Sequence, residues 1–213
     1  MRTDPLIDRL TSDLKPVRRR TPFTDGAALA VLAVIELSLF LTVGFMRPDM
    51  PLAMCMPSFW WKLTSLGLIA LVSGTITVLS LDPVRSPRRG LRWTVVLIGV
   101  CLAVGGILDA SGDGFSALYA RLNWLDGLQC LCKMVVLSVP AVIGLGVLMR
   151  RGAPTDRNGT ALAAGLAAAA WGAFVFVFAC PFDDPFYVAV WYSLSCGAVT
   201  LFARYALPPL TRW

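Results

Sequence analysis

Of the 213 residues, 57% are hydrophobic and only 15% are charged, a balance that excludes a water-soluble domain with a single core and a polar coat and identifies a membrane protein. The net charge of +6 is not a nucleic-acid footprint, because the bases gather in short connections between apolar runs.

Residues 3–20, TDPLIDRLTSDLKPVRRR, precede any run apolar enough to enter a bilayer. Asp4 suits an N-cap and Pro5 the first helical position, while Pro16 opposes continuation, so a short helix is predicted over residues 5–15. Leu6, Ile7, Leu10 and Leu14 fall at spacings of three and four and share one stripe, with Asp8, Arg9, Thr11, Ser12 and Asp13 around the rest. A helix this short is marginal alone in water, so its ordering requires the stripe to be covered. The cover is either the membrane surface or a groove on a protein partner. Interfacial helices carry Lys and Arg on one face and bulky aromatics on the other. This stretch has acids at Asp4, Asp8 and Asp13 and no aromatic residue, which favours the groove.

Six apolar runs follow, near 26–46, 61–81, 93–110, 130–149, 160–180 and 186–207, each close to the roughly 20 residues that span about 30 Å of hydrocarbon. The predicted fold is therefore all-α and polytopic, with a soluble segment at 1–25 and a six-helix transmembrane domain at 26–213. Leu81-Asp82-Pro83 and Arg150-Arg151-Gly152-Ala153-Pro154 punctuate the runs. The first run is too long for the h-region of a signal peptide and leads into Arg47-Pro48-Asp49 rather than a small-residue cleavage site. Arg2, Arg9, Lys15, Arg18, Arg19 and Arg20 precede the first span. Arg85, Arg88, Arg89 and Arg92 lie in the second connection, and Arg150, Arg151 and Arg157 in the fourth. The other connections hold Arg47, Arg121, and only the acids Asp183 and Asp184. By the positive-inside rule both termini are expected in the cytoplasm.

Glu36 stands near the middle of the first span, where a charge costs several kcal/mol unless it is neutral or paired. It is read as a hydrogen-bonded or protonated packing residue, with proton coupling in a transporter as the competing reading. Lys133 lies near the end of its span and can snorkel. Ala161, Gly165 and Ala169 put small residues at every fourth position of the fifth span, which permits close helix contact, and Pro140 can kink the fourth. No internal repeat, Walker motif or His-containing catalytic set appears.

Thr3-Asp4, Leu6-Ile7, Leu10, Asp13 and Pro16-Val17, followed by a basic run and six spans, resemble the start of the negative-regulator-of-sigma-F family. The likeness continues through Cys130 with Ser138-Val139-Pro140, Arg150 to Pro154, Cys180-Pro181 with Asp184-Pro185, Val190-Trp191-Tyr192 and the closing Arg212-Trp213. The chain departs from the family pattern at Ala179, where a His is expected, and in its additional Cys132. The resemblance implies a non-enzymatic, multi-pass anti-sigma factor of the bacterial inner membrane. It would hold an extracytoplasmic-function sigma factor through Asp4, Leu6, Ile7, Leu10, Asp13 and Leu14, without a cofactor and without touching nucleic acid.

Of the six cysteines, Cys101 and Cys196 lie well inside spans and read as packed core residues. Cys55, Cys130, Cys132 and Cys180 fall on the outer side of the expected topology, in an oxidising compartment if that side is the periplasm. Cys130 opens the fourth span and Cys180 closes the fifth, so the two share a membrane depth if these spans form a hairpin. Cys130 and Cys132, two apart on a helix, point in different directions and make the weaker pair. With Asp126, Asp183 and Asp184 on the same side a soft cation is a second possibility. A structural zinc site is not supported, since the chain has no His. Cys130 and Cys180, with Cys132 as a further participant, are thus the candidate sensors of a metal or oxidative signal. A membrane thiol oxidoreductase and a small-solute or metal transporter are the alternatives, and both leave the N-terminal stripe without a purpose.

Overall fold

Proline marks where several of the helices begin, because its fixed φ and missing N–H suit the first turn. The computed structural model describes residues 21–109 and 121–210. α1, Pro22–Thr42, follows Thr21, whose side chain caps the Thr24 N–H, and it ends at Gly44 in the left-handed region with φ of 87°. A four-residue helix α2, Met50–Ala53, leads into α3, Pro57–Ser80. α4 runs over Arg88–Asp109, α5 over Trp124–Arg151 and α6 over Arg157–Phe176, the last capped by Asp156 through the Gly159 N–H at 2.9 Å. α7, Pro185–Leu210, closes the described chain. No strand occurs among the described residues, and six of the helices are long and apolar enough to cross a membrane.

The expected fold class therefore stands, with shifted boundaries. The first helix begins at Pro22, not 26, and the fifth span ends at Phe176, which leaves Cys180 in the following turn instead of on the helix. The predicted N-terminal helix with Asp4, Leu6, Ile7, Leu10, Asp13 and Leu14 lies outside the described residues.

α6 is the central helix: 14 of its 20 residues are buried, and it packs against α3, α5 and α7. Its small residues permit this. A Cβ on Gly172 would lie 2.4 Å from Ser138 Oγ and 2.6 Å from the Ser138 nitrogen on α5, and one on Gly165 would lie 2.7 Å from Ala203 Cβ on α7. α4 lies on α3 and α7, and α1 on α5 and α3. α1 has no fully buried residue, so it is the outermost of the long helices and the least held by packing.

Candidate functional site

One end of the bundle carries polar chemistry out of proportion to its apolar surroundings. Cys130, on the second turn of α5, and Cys180, in the turn after α6, are both buried, and their thiols adjoin closely enough for each to act on the other's ionisation. The Tyr187 hydroxyl donates to Cys130 Sγ at 3.5 Å. The buried Tyr192 hydroxyl lies beside Cys180 without a well-aligned hydrogen bond. Met50, Ala53, Phe59, Met134, Phe176 and Trp191 complete the apolar wall. The pair expected from the helix ends is brought together. Cys132 faces outward and takes no part, as do exposed Cys55 and half-buried Cys101 and Cys196.

Beside the thiols lies a network of four charges. Lys62 on α3, only 1% exposed, donates from Nζ to Asp183 Oδ1 at 2.9 Å and to the Phe182 carbonyl at 3.0 Å. Arg47, in the connection from α1 to α2, meets Asp183 Oδ2 from Nη1 at 2.7 Å. The same nitrogen donates to the Cys180 carbonyl at 2.8 Å. Nε and Nη2 of Arg47 grip both oxygens of Asp49 at 2.7 Å, and the Arg47 backbone N–H donates to the Phe178 carbonyl at 2.9 Å. A bidentate guanidinium of this kind is strongly oriented. The Asp49 hydrogen bonds hold the Arg47 guanidinium even more firmly protonated than usual, and Arg47 in turn holds the Asp49 carboxyl below its ordinary range. Two cations and two carboxylates balance, so the burial of Lys62 leaves no charge uncompensated.

The cationic side of this network bears on Cys180. Its thiol is lowered to about 6, first by the hydrogen bond from the Cys130 thiol, which outweighs burial, and then by the charge of Lys62. A thiolate at neutral pH is the reactive form toward oxidants and soft cations. Asp183 is therefore not a free ligand. Asp184 is also engaged, by Arg121, which pairs with Asp109 as well. Burial pushes the Asp184 carboxyl up, but Arg121 and the Phe186 N–H together bring it below its ordinary range. Among the described residues no three Cys, Asp or Glu side chains are grouped to hold a metal ion.

Lys62 and Arg47 were not singled out from the sequence, where Arg47 counted only toward topology. The available signal was Lys62 itself, an ionisable residue inside an expected span. Glu36 was legible by that rule, and its partner is Trp171 on α6, whose Nε1 donates to Glu36 Oε2 at 3.0 Å.

The chain matches the family described as negative regulator of sigma F over residues 10–213. It is 34% identical to the anti-sigma-F factor NrsF of Caulobacter vibrioides over 218 residues, covering 100% of both chains. To the probable anti-sigma-F factor NrsF of Azospira oryzae it is 27% identical over 176 residues, 80% of this chain and 75% of that one. No solved structure is significantly similar.

Proposed function

The chain belongs to the family of negative regulators of sigma F, and from that premise we propose that it is an inner-membrane anti-sigma factor controlled by its buried thiol pair. In this reading both termini are cytoplasmic and the cysteine end of the bundle faces the periplasm. The segment 1–25 holds an extracytoplasmic-function sigma factor by laying Leu6, Ile7, Leu10 and Leu14 into a groove on it, with Asp4, Asp8 and Asp13 meeting basic residues around the groove. A periplasmic metal or oxidative signal at Cys130 and Cys180 releases the sigma factor. The resting and released states need differ by only a few kcal/mol for occupancy to change strongly.

The observation that carries the signalling half is the juxtaposition of two buried thiols, with Cys180 held toward its thiolate first by Cys130 and then by the charge of Lys62. With a peroxide, the Cys180 thiolate attacks one oxygen, the O–O bond breaks, and the leaving hydroxide takes up a proton to become water. Cys130 sulfur then attacks the sulfenic sulfur, and the second hydroxyl departs as water with the Cys130 proton. The two sulfurs have lost two electrons to the peroxide and share a disulfide. A soft cation would instead displace the protons and bridge the sulfurs.

A mild-detergent pull-down tests this with the tagged full-length protein, a version lacking residues 1–20, and the Cys130→Ser/Cys180→Ser double variant, each before and after peroxide. The sigma factor should co-purify with the full-length protein, be absent from the truncated one, leave the wild type on oxidation, and stay on the double variant. Retention by the truncated protein would refute the N-terminal docking, and release from the double variant would refute the thiol signal.

A further inference from the structure

We propose that Arg47 and the Glu36–Trp171 pair are the two positioning contacts through which a change at the thiol pair moves α1, and with it the chain preceding Pro22. The inference rests on the function proposed above and names the route by which the signal crosses the bundle.

Among the described residues α1 is the one long helix without a fully buried residue, and its apolar hold on the bundle is thin. The close approach is made by Leu29 and Leu32 over Gly144 of α5, where a Cβ would lie 2.7 Å from Leu32 Cδ2. Beyond that, from mid-span to its end, α1 is tied by polar contacts at two places among the described residues. At mid-span Glu36 accepts from Trp171, and the second Glu36 oxygen is buried with no hydrogen-bond partner, so the indole N–H is what locates this carboxyl. At its end the left-handed turn at Gly44 leads within three residues to Arg47, which is fastened to the turn that bears Cys180.

One contact attaches to the last turns of α6 and the other to the turn that follows it. Trp171 stacks on Phe174 at 5.3 Å between ring centroids, and Phe174 meets Phe178 edge-on at 5.9 Å. The Phe178 carbonyl accepts the Arg47 backbone N–H, and the Cys180 carbonyl accepts its side chain. In this inference, drawing two packed sulfurs to the about 2 Å of a disulfide pulls the Cys180 turn toward α5 by whatever rotation about the Cα–Cβ bonds does not absorb. The Arg47 guanidinium has no slack with which to absorb that movement. Its Nε, Nη1 and Nη2 are all engaged, on Asp49, Asp183 and the Cys180 carbonyl. It therefore follows the carbonyl or loses it, and either outcome displaces the end of α1. Twenty-one helical residues then carry the displacement about 30 Å to Pro22, pivoting on Glu36.

The test uses full-length protein in membranes, with the sigma factor bound, and two readouts on every sample. Disulfide formation is read by the mass shift of denatured, alkylated protein, and sigma retention is read by co-purification. Wild type should oxidise and release. Arg47→Met should hold the sigma factor when reduced and, compared at the oxidant dose that brings it to the wild-type disulfide fraction, release about fivefold less or lower still, the scale of an ordinary coupling between sites. Trp171→Phe, which keeps the ring stack but deletes the N–H held by Glu36, should weaken release in the same direction. Should Arg47→Met fail to accumulate, Arg47→Lys and Trp171→Phe decide by the same readouts, since Lys keeps a charge beside Asp183 but cannot form the fork. Variants that oxidise and release like wild type would overturn the inference. If oxidised wild type itself retains the sigma factor, the underlying function falls and takes the inference with it, a result distinguishable because it appears before any variant is compared.

Discussion

Lys62 shows how a charge survives at the edge of an apolar bundle. Its stem runs through the same core as Phe59 and Leu66, and its ammonium ends on a carboxylate and a carbonyl instead of water. Removing one member of a buried pair leaves the other uncompensated, so Lys62→Met should lower stability by about 3 kcal/mol, seen as a depressed thermal midpoint in detergent. It should also change reactivity. Because the Cys130 hydrogen bond and the Lys62 charge hold the Cys180 thiol below the usual thiol range, its rate of oxidation by peroxide should rise about tenfold per pH unit below its pKa and level off above it. Loss of the Lys62 charge disfavours the thiolate, so the levelling should move to higher pH. An unmoved profile would show that Lys62 does not act on the thiol. The thiol pair was legible from sequence because the ends of the fourth and fifth apolar runs fix a common depth, although the helices themselves begin at Trp124 and end at Phe176. The charges around it were not, since the pairing of Asp183 with residues 121 and 136 positions earlier depends on how α3 and the α1–α2 connection meet the α6–α7 turn.

At the scale of the helices, length and apolarity identified every span, and the boundaries shifted because caps lie in polar sequence ahead of the apolar run. Thr21-Pro22 and Met56-Pro57 begin helices several residues before the expected starts. The four-residue α2 carries no periodicity for a sequence to display. Nor could periodicity say which face of each helix turns inward, since lipid and protein core are both apolar solvents. The small-residue stripe of α6 was the exception, because only contact with another helix rewards it. Gly172→Ala should therefore separate α5 from α6 and cost about 1–3 kcal/mol, since its new Cβ would meet Ser138 backbone as well as side chain. Thermal unfolding would check this, with Gly106→Ala, which has open space around it, as the control expected to cost little.

For the molecule as a whole, the alternation of basic connections sets an expected orientation that helix packing alone does not encode. Phosphatase fusions, active only outside the cytoplasm, should be active when joined after Cys55 or Asp183 and inactive after Val84 or Thr155. The reverse pattern would invert the topology and put the thiols in a reducing compartment. Cys130 and Cys180 sit beneath Met50, Ala53 and a wall of aromatic rings, with Cys180 fully buried and Cys130 nearly so. That cover holds off a bulky thiol such as a tripeptide, or a reductase, more than it does a small molecule. The same seal works in the other direction, because the enzymes that would reopen a bond between the two sulfurs cannot touch it. Under the proposed function, an oxidised molecule would keep a record of its exposure, and the resting state would return mainly through newly made protein.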